Sequence, residues 1–213
     1  MSLPLSEGSD GELAALALAG RQDAYRELLA RHRDAVFRLV RASVGDPHEA
    51  LDVTQETFIA AFSALGRYDH GRPFLAWLKH IALNKCRDWG RRRKVRAFFT
   101  RAVPLEMASD VSDDAIPADV QAADRAELAR VTAAISRLPS RLREALVLRT
   151  IDGLGQAEAA DVLGVSEKTV EKHLAKGMRL MAAWYYGGDA GSGETRRAAG
   201  EDDDRSGQQT DRA

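Results

Sequence analysis

The sequence contains a single cysteine, Cys86, so an internal disulfide and a metal site built from several cysteines are both excluded. No uninterrupted apolar run is longer than that of Leu13–Ala19, which is far shorter than the ~20 residues of a membrane-spanning helix. The chain does not open on a basic segment followed by an apolar one, so we expect no export and a cytoplasmic location. Aromatic residues make up only 6% of the sequence. Apolar positions recur at helical spacing and nowhere alternate as in a β-strand, which predicts an all-α protein.

Catalytic motifs are also missing. The sequence has no phosphate-binding glycine loop, no dinucleotide-binding G-x-G-x-x-G motif and no G-x-S-x-G nucleophile motif. The five histidines are scattered, and none is spaced from another as metal ligands would be. They are His32, His48, His70, His80 and His173. We therefore expect no enzyme activity, no metal and no cofactor, and we interpret Cys86 as an incidental, partly buried thiol.

Charge is segregated along the chain, although the net charge is −1. The segment from Lys85 to Arg101 carries +7, and the segment from Ala102 to Asp124 carries −6. The last segment, from Gly187 to Ala213, carries −3. This pattern favours a surface for a polyanion such as nucleic acid beside acidic linkers, and a solvated basic helix face is the alternative.

Helical periodicity divides the chain into two helical units. In the first unit it predicts helices over residues 23–44, 48–65 and 74–94. The acidic segment that follows has little to bury and is interpreted as a flexible linker. The predicted organisation is an N-terminal lead-in (1–20), a first helical domain (21–98), an acidic linker (99–124), a helix-turn-helix domain (125–186) and a disordered tail (187–213).

The clearest local pattern is a helix-turn-helix in the second unit. A short helix over Gln156–Leu163 is followed by a turn at Gly164, and Ser166 is a natural N-cap for a helix that begins at Glu167. Four basic side chains of this second helix share one face, and four apolar ones share the opposite face. The basic set is Lys168, Lys172, Lys176 and Arg179, and the apolar set is Val170, Leu174, Met178 and Met181. Together with the preceding short helix and turn, this division favours a helix that packs on a core with one face and enters a DNA groove with the other, and an ordinary amphipathic surface helix is the alternative.

Two sets of residues resemble domains of bacterial sigma factors. The first set comprises Asp52-x-x-Gln55-Glu56-x-Phe58 and Trp77-Leu78-x-x-Ile81-Ala82-x-Asn84-x-x-x-Asp88-x-x-Arg91-Arg92 and resembles the promoter-melting domain. The second comprises Leu138-Pro139-x-x-x-Arg143-Glu144-Ala145-Leu146, Asp152-Gly153-Leu154 and Ala159-Ala160-x-x-Leu163-Gly164-Val165-Ser166-x-x-Thr169-Val170, and resembles the domain that reads the −35 element. With these two domains and an acidic linker, the chain is similar to the extracytoplasmic-function group. It departs from the family at Glu171-Lys172-His173-Leu174, where the commonest sequence of the family is Lys-Ser-Arg-Leu.

The resemblance implies a sigma factor that binds the β′ and β subunits of core RNA polymerase, recognises −35 and −10 promoter DNA and initiates transcription. It also implies an anti-sigma factor as a regulatory partner and no insertion into a membrane. Polymerase binding is assigned to Asp52, Gln55 and Glu56. At the −10 region we expect Tyr68 and His70 to stack on an unstacked base and cations to hold phosphates.

The full set expected at the −10 region is Arg67, Tyr68, His70, Arg72, Asn84, Lys85, Arg87, Asp88, Arg91, Arg92 and Arg93. The set expected at the −35 region is Ser166, Glu167, Lys168, Thr169, Glu171, Lys172, Lys176 and Arg179. Two alternatives remain open at this point. One is a LuxR-like helix-turn-helix regulator, to which Val165–Val170 also fits, and the other is a helical adaptor without DNA contact.

Overall fold

The computed structural model describes residues 5–101, 127 and 130–186, so most of the predicted linker and the whole predicted tail lie outside the described residues. The first unit contains helices α1 (Asp10–Leu18), α2 (Gln22–Val44), α3 (Pro47–Ser63) and α4 (Phe74–Arg101). The second contains α5 (130–137), α6 (Ser140–Leu146), α7 (Gln156–Leu163) and α8 (Glu167–Tyr186). Single 3₁₀ turns lie at Leu5–Glu7 and Leu65–Arg67, and a π-helical turn at Val147–Ile151 continues α6. No strand occurs in the described part of the chain, so the all-α prediction is confirmed.

Helix ends follow local chemistry. The predicted bounds of α2 and α3 agree with the structure to within about two residues. Gly45 ends α2 with a φ of +89°, a backbone conformation that side chains rarely adopt. Asp46 then caps α3 by accepting a hydrogen bond from the Glu49 amide at 2.9 Å, and Pro47 occupies the first helical position.

Two helices differ from the sequence expectation. The predicted lead-in contains α1, which begins at a capping box formed by Ser9 and Glu12 and buries Leu13 and Ala17 against the rest of the unit. Helix α4 continues to Arg101 and not only to residue 94, so residues 99–101 of the predicted linker are helical. No proline or glycine follows Gly90 within α4, so nothing in the local sequence stops the helix earlier.

The core of the first unit lies between α2, α3 and α4. Leu28 and Val36 of α2, Val53 of α3, and Phe74 and Leu78 of α4 are fully buried there. Burying one such side chain contributes about 1.5–3 kcal/mol to folding. The core therefore holds the loop before α4 and the outer face of α3 in fixed positions.

The two units pack directly against each other. Helix α4 contacts α7, and α2 contacts the π-helical turn, where Val147 and Leu148 are fully buried. Polar contacts across the boundary include an Arg87–Glu144 ion pair, a Lys79–Asp152 ion pair, and a hydrogen bond between Nδ1 of His80 and the carbonyl oxygen of Val162. Sequence analysis predicted two domains on a flexible connection and did not foresee this docking. Within the described ranges, no helix is both long and apolar enough to cross a membrane.

Candidate nucleic-acid and polymerase interface

The helix-turn-helix is built as the sequence predicts. Gly164 adopts the left-handed conformation (φ +65°) that turns the chain between α7 and α8. The hydroxyl of Ser166 accepts a hydrogen bond from the Thr169 amide at 3.2 Å and so caps α8. On the inner side, Val170 is fully buried, and Gly177 lies so close to Leu142 of α6 that an added Cβ would come within 3.4 Å of its carbonyl oxygen. These contacts fix the orientation of α8.

The outer face of α8 presents polar side chains to solvent. Lys168, Glu171, Lys172 and Arg179 are exposed, and Lys176 is half-buried. A surface depression lies along this face, lined by Ser166, Lys168, Thr169, Glu171, Lys172 and Ala175. Glu167 is exposed at the first turn of the helix. A protruding helix with exposed donors and acceptors at its N-terminal half is the geometry that reads base edges in a major groove.

The apolar side of α8 is narrower than its helical wheel suggests. Val170 is buried, whereas Leu174 and Met181 are only partly buried. Met178 is 52% exposed, although the wheel places it on the apolar face. Helices α6 and α7 both pack against α8, and Met178, at the edge of the apolar face, stays in solvent.

A polar edge on α3 carries the three residues assigned to polymerase. Asp52 and Gln55 are exposed and Glu56 is half-buried. Two large apolar side chains lie among them, Leu51 at 53% and Ile59 at 67% exposure. An exposed stripe that combines carboxylates and aliphatic groups fits a protein partner better than nucleic acid.

The basic end of α4 projects from the first unit. Arg91, Arg92 and Arg93 are exposed, and each has a local partner. Arg91 pairs with Asp88, Arg92 pairs with Glu56 of α3 at 3.0 Å, and the Arg93 guanidinium lies over the Trp89 ring. Exposed ion pairs of this kind are worth about 0–1 kcal/mol, so phosphates can displace them at little cost.

Arg87 is held differently from the other cations of α4. Its Nε and Nη2 donate to the two carboxylate oxygens of Glu144, at 2.6 and 2.5 Å, and its Nη1 donates to Oδ1 of Asn84 at 2.8 Å. These contacts raise the pKa of the guanidinium, mainly through the hydrogen bonds to Glu144. Asn84 and Lys85 beside it are half-buried. All three nitrogens of Arg87 are therefore occupied while the two units are docked.

In the loop before α4, Tyr68 is buried whereas Arg67, His70 and Arg72 are exposed. Tyr68 is only 7% exposed, its hydroxyl donates to the carbonyl oxygen of Arg72 at 2.6 Å, and its ring packs on Phe74 and Trp77. Burial raises the pKa of its phenol. His70 is exposed beside it, with ring centroids 5.0 Å apart, and Arg67 and Arg72 are exposed as well. In this conformation the loop offers His70 and two arginines to a ligand, and the Tyr68 ring belongs to the core.

Sequence reasoning missed the ion pairs between the units. Lys79 is 4% exposed and Glu144 is 3% exposed, and both are paired across the boundary. A signal was available for Lys79, because it is a lone lysine at helical spacing among Leu75, Ala82 and Leu83. No cluster of three or more histidine, cysteine, aspartate or glutamate side chains that could hold a metal ion occurs in the part of the chain described.

Comparison with known proteins identifies both units. Residues 28–96 match the family model Sigma-70 region 2, and residues 128–181 match Sigma-70, region 4. RNA polymerase sigma factor CnrH of Cupriavidus metallidurans is 43% identical over 181 residues, which cover 83% of this chain and 94% of that protein. ECF RNA polymerase sigma factor SigW of Bacillus subtilis is 32% identical over 168 residues, which cover 76% and 89%.

A solved structure shows the same architecture. CnrH in complex with the cytosolic domain of CnrY superposes with a TM-score of 0.60 at 34% sequence identity, over 84% of this chain and 99% of that chain. Region 2 corresponds to the unit that carries the α3 edge and the basic end of α4, and region 4 corresponds to the helix-turn-helix. The chain therefore belongs to the extracytoplasmic-function group of the sigma-70 family, whose members recognise promoters and initiate transcription.

Proposed function

We propose that this sigma factor divides its work among three surfaces: the α3 edge binds core RNA polymerase, α4 and the preceding loop hold the −10 region, and α8 reads the −35 element. The observation that carries the proposal is α8 itself. Its inner face is fixed by Val170 and Gly177, and its outer face presents Lys168, Glu171 and Lys172 to solvent. A rigid helix with that division of faces is suited to sequence-specific contact with DNA.

The −10 contacts follow from charge and exposure. The exposed arginines at positions 91–93 hold only weak surface partners, so they can exchange these for phosphates. His70 offers an exposed aromatic ring beside Arg67 and Arg72, which suits an unstacked base with its flanking phosphates. Tyr68 would join this site only if the loop rearranged, because its ring is packed in the core.

The polymerase contact follows from the chemistry of α3. Asp52, Gln55 and Glu56 form a carboxylate-rich edge next to the exposed Leu51 and Ile59. An edge of this kind complements a basic and partly apolar protein surface. We assign it to the β′ subunit of polymerase, with β as a further contact, and we place the protein in the cytoplasm with that enzyme. Catalysis belongs to the polymerase, and the sigma factor contributes binding and positioning.

A regulatory protein partner is also part of the proposal. The relative CnrH is known in complex with the cytosolic domain of CnrY. Because this chain is 43% identical to CnrH over 181 residues, which cover 94% of that protein, we infer that an anti-sigma factor binds here too.

Run-off transcription with purified core polymerase on genomic fragments tests the proposal. We expect discrete transcripts with the wild-type chain and their loss when Asp52, Gln55 and Glu56 are replaced by alanine. A LuxR-like regulator would give no transcripts with core polymerase, because it stimulates only polymerase that already carries another sigma factor. A helical adaptor would also give no specific transcripts with core polymerase. Absence of specific transcripts with core polymerase and wild-type chain would contradict the proposed function.

A further inference from the structure

We propose that the helix-turn-helix unit and −10 DNA compete for Arg87, so that the docked arrangement is an autoinhibited state closed by the Arg87–Glu144 and Lys79–Asp152 ion pairs. The DNA half of this inference rests on the proposed function of α4. The docking half does not, and the two halves can be tested separately.

Glu144 occupies Arg87 in the way that a phosphate would. The carboxylate accepts two parallel hydrogen bonds from Nε and Nη2, at 2.6 and 2.5 Å, and Asn84 accepts the third. Bidentate geometry of this kind is common to arginine–carboxylate and arginine–phosphate pairs. Since Asn84 and Arg87 are both assigned to the −10 region, Glu144 has to leave before DNA can take its place.

The second ion pair is more deeply buried than the first. Nζ of Lys79 lies 2.5 Å from Oδ2 of Asp152, and the two side chains are 6% and 8% exposed. Separating the units returns both charges to water, whereas removing one partner leaves the other buried and unpaired. The pair therefore favours one docked orientation without making the docking irreversible.

The only cysteine of the chain, Cys86, lies at the boundary between the two units. Cys86 of α4 is 3% exposed, and it is surrounded by Ser43 of α2 and by Arg143 and Glu144 of α6. Burial raises the pKa of its thiol to about 12, so the docked protein holds almost no thiolate at neutral pH. Opening the boundary would remove the α6 cover and restore an ordinary thiol, which makes Cys86 a reporter of docking that needs no engineering.

The experiment follows the reaction of Cys86 with DTNB on the full-length chain. Glu144→Gln removes the charge that holds Arg87, Asp152→Asn removes the charge that holds Lys79, and Arg87→Gln breaks the first pair from the other unit. Asp23→Asn is the matched control, because Arg21 and Asp23 form a bidentate pair within the first unit, at 3.0 and 2.5 Å. Far-UV circular dichroism establishes that each variant is folded.

We expect the thiol to react about tenfold faster or more in the three boundary variants than in the wild type, because breaking a buried pair shifts the equilibrium toward the undocked state. The rate for Asp23→Asn should equal that of the wild type. Equal rates in folded Glu144→Gln, Arg87→Gln and wild-type proteins would overturn the inference, and so would a wild-type thiol as reactive as that of the urea-unfolded chain.

Binding of a fluorescent single-stranded oligonucleotide, taken from the −10 region of a promoter found by run-off transcription, tests the competition. Glu144→Gln should bind it more tightly than Asp23→Asn, which carries the same change of net charge. Arg87→Gln should release the thiol but lose affinity for the oligonucleotide. If Glu144→Gln releases the thiol and gains no affinity over the control, the competition is overturned. If the wild type and every variant fail to bind while thiol release is seen, the −10 role of α4 in the proposed function fails and the ion-pair closure stands.

Discussion

Nη2 of Arg92 lies 3.0 Å from Oε2 of Glu56, and this contact joins α4, assigned to DNA, to the α3 edge, assigned to polymerase. The two side chains are 52% and 39% exposed, so the pair contributes about 0–1 kcal/mol at most. Either partner can therefore break it at little cost. The contact also places the surface proposed for polymerase and the surface proposed for DNA side by side on the first unit.

Replacing Asp52, Gln55 and Glu56 together by alanine should weaken binding to core polymerase and leave the fold intact. The three side chains project from an α3 whose opposite side, with Val53 and Phe58, is buried. A pull-down with core polymerase measures binding, and circular dichroism checks folding. Because the change frees Arg92, binding of the isolated chain to DNA should not fall.

A triple alanine variant at Arg33, Asp34 and Arg38 is the control for this experiment. These residues are exposed polar positions of the same unit, on α2 and not on α3. The control should retain core polymerase as well as the wild type does. Equal retention by the α3 variant would show that this edge is only a solvated helix face.

Replacing Arg91, Arg92 and Arg93 by alanine should weaken promoter binding on all templates and flatten its salt dependence. Each phosphate contact releases counterions, so the slope of log K against log salt should change by about 2–3 when three contacts are lost. Binding titrations across a salt series measure the slope. Arg26, Arg33 and Arg38 on α2 are also exposed, so their triple alanine variant carries the same charge change and should keep the wild-type slope.

The helix-turn-helix could be predicted from sequence because its signals are local. The Gly164 turn, the Ser166 cap and the burial of Val170 all depend on residues within one or two helical turns. Helix α1 also had a local signal, since Ser9 and Glu12 stand three residues apart before an apolar run, but it was assigned to a lead-in. The structure shows a helix within this segment, and its capping box can be recognised in the sequence.

The docking of the two units could not be predicted in the same way. Arg87 and Glu144 are 57 residues apart, and nothing near either residue indicates its partner. Tyr68 illustrates the same limit, because its position in a loop suggested exposure, while the packing of Phe74 and Trp77 around its ring is a tertiary property. Periodicity identifies which face of a helix is covered, but not which element covers it.

Two glycine-to-alanine substitutions should change stability in opposite directions. Gly164 has a φ of +65°, which a Cβ makes unfavourable, so Gly164→Ala should lower the free energy of unfolding by about 1 kcal/mol. Gly90 lies within α4 with open space around it, so Gly90→Ala should raise that free energy by about 0.5–1 kcal/mol. Urea unfolding measures both. A stabilising Gly164→Ala would contradict the left-handed turn between α7 and α8.

The choice of −35 sequence should depend on Glu171 and Lys172. Both side chains are exposed and line the depression along α8, where a lysine can donate to O6 and N7 of guanine and a carboxylate can accept from N4 of cytosine. Lys172→Ala should cost about 1–3 kcal/mol at its own base pair and relax the preference there. Glu171→Ala should relax the preference at a neighbouring position. We expect Lys168 to provide flanking base or phosphate contacts.

Lys176 provides the comparison that separates base reading from general attraction. It lies one turn beyond Lys172 and is half-buried, so we expect it to contact a phosphate and Lys176→Ala to weaken binding to all sequences alike. Promoter selection from a library randomised across the −35 element distinguishes the two behaviours, because a lost base contact changes the recovered consensus and a lost phosphate contact changes only the yield. Val170 and Leu174 face inward, so replacing either should lower stability and leave the consensus unchanged. If the Glu171 and Lys172 variants both returned the wild-type consensus, α8 would have to read bases through other residues.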